Sequence, residues 1–147
     1  MEADRPLTET VFLKHVKETP TTLGTQHEFQ AFEVNKSRPS RVGKIVFIRL
    51  ATGAHHIHEL KVLPQTLPLE PLEIRRMENL RKHLLKFVEK RVLGNVNALQ
   101  KERKKYSKMV LLDAPEEEHE FWKKQGFSPE RKAYTDREET SRLLKKL

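Results

Sequence analysis

The stretch Met109 to Phe127, MVLLDAPEEEHEFWKKQGF, constrains the fold more than any other. A short apolar run closes on Asp113 and Ala114. Pro115 then opens a charged helix, a place where its missing N–H costs nothing. That helix carries Phe121 and Trp122 just before a Gly-Phe turn. The pattern is strand, helix, turn, strand start. A lone strand cannot satisfy its own backbone groups, so it must join strands from elsewhere in the chain.

Upstream runs supply them. Thr10–Val16 (TVFLKHV) is a short strand, and Glu18–Gln26 (ETPTTLGTQ) is expected to be a loop. Glu28–Val34 (EFQAFEV) alternates. A polar turn, NKSRPSRVG, leads to Lys44–Leu50 (KIVFIRL), β-branched and aromatic and the best strand in the chain. His55–Leu63 (HHIHELKVL) follows, with His56 and His58 on one face and Ile57 and Glu59 on the other. After the proline-stiffened PQTLPLEP, apolar residues Ile74, Met77, Leu80, Leu84, Phe87 and Val88 recur at helical spacing. Val96–Tyr106 reads as a weaker second helix, and SRLLKKL at the end fits either a helix turn or a strand. Hairpin-linked strands, then a helix, a strand and a helix, make an α+β domain with a mixed, mainly antiparallel sheet flanked by helices. With 147 residues, this is a single domain, 1–147.

Composition narrows the chemistry. The absence of Cys removes disulfides, thiolate metal sites and Cys nucleophiles. No GxSxG, GxGxxG or GKS/GKT run supports a hydrolase, dinucleotide or P-loop reading. The opening MEADRPLTET lacks a signal-peptide pattern, and no apolar run approaches the roughly 18 residues of a membrane span. The expected location is therefore intracellular, cytoplasmic or nuclear. Net charge is +8, and Glu70–Lys108 holds 12 Lys or Arg against 5 Glu. That excess suits an anionic partner.

The order of elements resembles the GNAT family of N-acetyltransferases over roughly residues 27–127, leaving 128–147 as an unassigned tail. FEV followed by VGKIVFIRL is similar to that family's second and third strands. HIHELKVLP is similar to its fourth, and MVLLDA with FWKKQGF to its fifth strand and following helix. The resemblance implies that HIHELKVL and MVLLDA lie side by side, parallel, joined through the long helix. It implies acetyl-CoA or another acyl-CoA as cofactor. Glu59 would then be the base, backbone at Val62 and Leu63 would hold the pantetheine arm, and Gln65, Arg75 and Arg76 would meet the phosphates. The sequence also departs from the family. QTLPLEPLE stands where a Gly-rich loop would aim N–H groups at a pyrophosphate, and proline removes donors. Trp122 stands where many members carry a Tyr able to protonate the leaving thiolate. The implied function is an acyl-CoA-dependent N-acyltransferase-like protein, degenerate at the cofactor loop.

Two other readings stay open, and a third is set aside. A non-enzymatic basic module would contact nucleic acid or an acidic protein through Arg81, Lys82, Lys86, Lys90, Lys104 and Lys105. Leu84, Leu85, Val92 and Leu93 would form an assembly face if the helix is apolar too far round. His55, His56 and His58 invite a metal, but only His56 and His58 share a face and no third ligand lies nearby in sequence, so no metal is expected.

Overall fold

A computed structural model describes residues 1–34, 38–94, 108–129 and 141–147. Its strands are β1 (Arg5–Pro6), β2 (Val11–Pro20), β3 (Gly24–Val34), β4 (Pro39–Leu50), β5 (His55–Val62), β6 (Met109–Ala114), β7 (Ser128–Pro129) and β8 (Ser141–Lys146). The helices are α1 (Pro71–Gly94) and α2 (His119–Lys124), the latter entered through a 3-10 turn at Glu116–Glu118. All strands join one sheet in the order β1-β2-β3-β4-β5-β6-β8-β7, antiparallel except for β5 beside β6. The parallel neighbours expected from HIHELKVL and MVLLDA are present, with α1 in the connection between them.

Two segments differ from the sequence expectation. The loop placed at Glu18–Gln26 shrinks to Thr21–Leu23, because Lys17–Pro20 and Thr25–Glu28 pair across β2 and β3. Their Thr, Gln and Glu side chains face water, so no apolar alternation betrays the strand. Gly24 closes the turn at φ +150°, where an added Cβ would lie 1.9 Å from the Arg49 carbonyl oxygen. The ambiguous tail resolves as β8, which pairs along the whole of β6 from Met109↔Lys146 to Ala114↔Ser141. The second helix expected at Val96–Tyr106 lies outside the described residues.

One face of the sheet is the core face. Leu13, Phe29, Ile45, Phe47, Ile57, Leu112 and Leu143 are fully buried there beneath Leu84, Phe87 and Val88 of α1 and Trp122 of α2. Phe87 meets Phe29 edge-on with ring centroids 4.9 Å apart. Each such side chain, fully buried, contributes about 1.5–3 kcal/mol. α1 is amphipathic, with Met77, Leu80, Leu84, Phe87 and Val88 inward and Lys82, Lys86 and Lys90 outward, but Ile74 in its first turn, expected on the apolar stripe, is exposed. The assembly face is corrected: Leu84, Leu85 and Val92 are buried in this chain's own core, and only Leu93 is half exposed. The opposite, open face carries Lys14, Glu28, Lys44, His56, Glu59 and Asp113; among the described residues neither helix packs there. No described helix is long and apolar enough to cross a membrane.

Candidate functional site

The sheet forks between β5 and β6. Parallel pairing covers only His55↔Val110, His56↔Leu111 and Ile57↔Leu112, although β5 runs on to Val62 and β6 to Ala114. A bulge sits at the same point. Phe47 pairs with Ile57 and Val46 with Glu59, so His58 is an extra residue on β5. An extra residue bends its strand and increases the twist, which is how a strand is steered off its neighbour. Leu63 donates its N–H to the Val42 carbonyl at 2.8 Å. Backbone groups alternate sides along a strand, so those of Leu60 and Val62 turn away from β4 and toward the fork. Val62 therefore presents its main-chain groups to the fork. Leu63 does not, since its carbonyl accepts from Arg76 Nη2 at 2.9 Å.

Beyond the fork lies the start of α1, where a phosphate cradle would be sought. The protein's own carboxylate occupies it. Glu73, only 8% exposed, accepts at one oxygen from the Gln65 backbone N–H at 2.9 Å and from Arg76 Nε at 3.0 Å and Nη2 at 2.6 Å. The Arg76 guanidinium, then the Gln65 amide, hold its carboxyl below the usual range. Two of the three groups assigned to the phosphates, Gln65 and Arg76, are thus already spent. The third, Arg75, points to solvent. Leu67, Leu69 and Leu72 around this loop are exposed and do not fill the fork.

At the fork itself, Glu59 is half exposed, with Lys44 Nζ 3.4 Å from its carboxylate; Lys44 also lies 3.9 Å from Glu28. Next to it the structure assembles a group that sequence spacing could not reveal. Asp113, at the end of β6, meets His56 Nε2 at 3.0 Å and His58 Nδ1 at 3.6 Å through one oxygen, and accepts from Arg142 Nε at 3.1 Å through the other. Burial alone would raise the Asp113 pKa, but the bonds from His56 and Arg142 outweigh it and bring it down to about 2. Burial lowers that of His58, as does neighbouring His56, against an opposing pull from Asp113. His58 is therefore neutral, and Asp113 ionised, at neutral pH. The available signals were His-x-His on one strand and Leu-Leu-Asp ending another, but only the β5–β6 register joins them.

Trp122 is fully buried and donates its indole N–H to Glu118 at 3.1 Å, with Phe121 and Phe127 edge-on against it. It is core, not a group lining the fork. Of the basic residues, Arg81 is half-buried against Phe121 and lies 3.8 Å from Glu118, which removes it from any free stripe. Lys82, Lys86 and Lys90 are exposed along one side of α1; Lys86 and Lys90 border a cavity of about 560 Å³ with Arg5, Arg91 and Glu2. Lys104 and Lys105 lie outside the described residues.

The sequence matches no family model and no curated protein. Solved structures do match in fold. PaiA N-acetyltransferase from Thermoplasma acidophilum, in complex with coenzyme A, superposes with a TM-score of 0.51 at 17% identity, over 83% of this chain and 61% of that one. Escherichia coli ElaA gives 0.50 at 14% identity, over 84% and 70%. A GNAT-family acetyltransferase from Staphylococcus aureus gives 0.50 at 16%, over 82% and 67%. This chain thus spans less than two thirds of the PaiA length. The architecture is the GNAT N-acetyltransferase fold.

Proposed function

We propose that this chain is an acyl-CoA-dependent N-acyltransferase-like protein whose acyl site is the fork between β5 and β6 and whose phosphate cradle is closed by Glu73. The observation that carries this reading is the fork: β5 continues past its last parallel pair with Leu60 and Val62 presenting backbone groups to the gap. An extended amide-bearing arm can pair there as an added strand would. Glu59, beside the bulge, is the base, taking the amine proton as the amine attacks the thioester carbonyl, and Lys44 holds its carboxylate at the open face. Acyl-CoA, when bound, would supply the activated acyl group; Trp122, buried away from the fork, is out of reach to protonate a departing thiolate, so that proton would come from solvent. Fold kinship by itself does not specify chemistry, so binding is the test.

Isothermal titration with acetyl-CoA should give weak binding to the wild type. Glu73→Gln should tighten it about tenfold, because an anion competing with the phosphates is removed and Arg76 is released. If neither protein evolves heat at millimolar acetyl-CoA, the acyltransferase reading is lost.

A second reading rests on the stripe Lys82, Lys86 and Lys90, one helical turn apart and without ion-pair partners among the described residues. It is a nucleic-acid contact along α1. Three phosphate contacts predict that duplex binding falls roughly 40-fold between about 50 and 200 mM salt. The triple change of these lysines to Glu should abolish it. Binding that is insensitive to salt, or unmoved by the triple change, would rule this out.

A further inference from the structure

We propose that His56, His58 and Asp113 form a binding site for a first-row divalent metal ion of the Zn²⁺ type on the open face of the sheet. The site needs neither an acyl group nor the phosphate cradle at α1.

The local fold prepares the three side chains. His56 is the last open-face residue of β5 before the bulge, and its register partner on β6 is Leu111. Two residues further along β6, Asp113 returns to the same face. In an unbroken strand His58 would follow His56 at ordinary spacing. As the bulge residue it swings toward its neighbour instead, and the two imidazole centroids come within 4.1 Å. Both rings then converge on a single carboxylate oxygen, at 3.0 and 3.6 Å, and all three ligand atoms lie within 4.8 Å of one another.

Those separations are the right size. Tetrahedral coordination with bonds of about 2.0–2.1 Å puts neighbouring ligand atoms about 3.3 Å apart. The two observed distances to Asp113 Oδ2 bracket that value, so an ion needs only a small rotation of the rings. The carboxylate ligand also has support beyond the site. Arg142 holds the other carboxylate oxygen at 3.1 Å, which orients Asp113 and leaves Oδ2 for the ion. His58 Nε2 is buried without a hydrogen-bond partner, so Nδ1 is the nitrogen through which that ring interacts.

The donor set selects the metal. Two imidazoles and one carboxylate favour Zn²⁺ and its neighbours over Ca²⁺ or Mg²⁺, which prefer oxygen cages. With three protein ligands and His58 about one third exposed, a fourth position faces solvent. That is the arrangement of a metal site open to an exogenous ligand rather than a closed structural one. A second cluster, Glu2 with His15 and His27, has comparable spacing, but Glu2 is already held by Arg91 and Arg5. Two guanidiniums at its carboxylate repel a cation.

The test uses the untagged full chain, stripped with a chelator. Titration with ZnCl₂ against a chromogenic competitor should show one site. Titration with Co²⁺ should produce the intense visible bands of four-coordinate cobalt. His58→Ala and Asp113→Asn should each weaken Zn²⁺ at least tenfold, with far-UV circular dichroism unchanged, and remove the cobalt bands. His83→Ala, on the outer side of α1, should leave both intact. Asp113→Asn keeps shape and loses charge, so it remains informative if the histidine variant misfolds. Absence of binding, or stoichiometric Zn²⁺ that neither ligand change weakens, would overturn the site.

Discussion

Trp122→Ala is expected to lower the unfolding free energy by about 3–5 kcal/mol, with urea midpoints followed by circular dichroism as the measurement. The indole is fully buried in the cluster that joins α1, α2 and the core face. Removing it empties a volume that the sheet cannot collapse into, because Phe121 and Phe127 meet the ring edge-on and are held by α2 and by the turn that follows it. It also strips Glu118 of its indole donor, leaving that carboxylate with Arg81 at 3.8 Å. Domains of this size have total stabilities of about 5–15 kcal/mol, so the variant should be marginal at 37 °C. Trp122→Phe keeps an aromatic ring and should cost less than half as much. A near-zero cost for Trp122→Ala would mean that the residue lines the fork, as the tyrosine of the similar family does, and not the core.

Acid should weaken the fold through His55. The ring is fully buried beside Phe47, with centroids 5.7 Å apart, and Nδ1 lies 3.1 Å from the Gly53 carbonyl. A carbonyl only accepts, so Nδ1 carries the proton and Nε2 is a bare lone pair with no partner. Protonating Nε2 would bury a charge. Desolvation, opposed by the Gly53 bond, accordingly lowers the pKa from 6.5 to about 4. The sign follows from linkage. Between those values the unfolded chain binds the proton and the folded chain does not, so stability is full above pH 6.5 and is lost as pH falls toward 4. At about 1.4 kcal/mol per unit, the loss is about 3 kcal/mol. His27, also lowered chiefly by burial, acts in the same direction. Urea unfolding at pH 7.5 and pH 4.5 should show most of this difference, and His55→Leu should flatten it relative to wild type. Equal pH dependence in the two proteins would place His55 in solvent.

Much of the architecture was legible because its signals are short-range. KIVFIRL, HHIHELKV and MVLLDA announce strands through β-branched and aromatic runs. The three- and four-residue spacing of Met77, Leu80, Leu84 and Val88 announces α1. The β2–β3 extension was not legible: KETP and TQHE hold no aliphatic or aromatic alternation, and the one side chain of TQHE that is buried is a histidine, His27, so pairing there depends on the partner strand and not on apolar periodicity. The basic stripe was legible as charge, but its membership was not. Arg81 looked equivalent to Lys82 until α2 packed against it and supplied Phe121 and Glu118.

The candidate site divides in the same way. That QTLPLEPLE lacks the glycines of a phosphate loop is evident from composition alone. That Glu73 turns back to take the Gln65 amide and the Arg76 guanidinium is not, since a carboxylate in the first turn of a helix more often serves only its dipole. Residue order by itself determined the types of β4, β5, β6 and α1 and most of the amphipathic face of α1, whereas the tail took its place as β8 between β6 and β7 only in the folded sheet. The tertiary structure alone decided where β5 leaves β6, and that His56 and His58 face Asp113, which is 57 residues beyond His56. The physical reason is that local backbone preference acts over a few residues. A parallel crossover sets register through packing of the whole helix against the sheet, so one bulge at His58 governs which side chains meet.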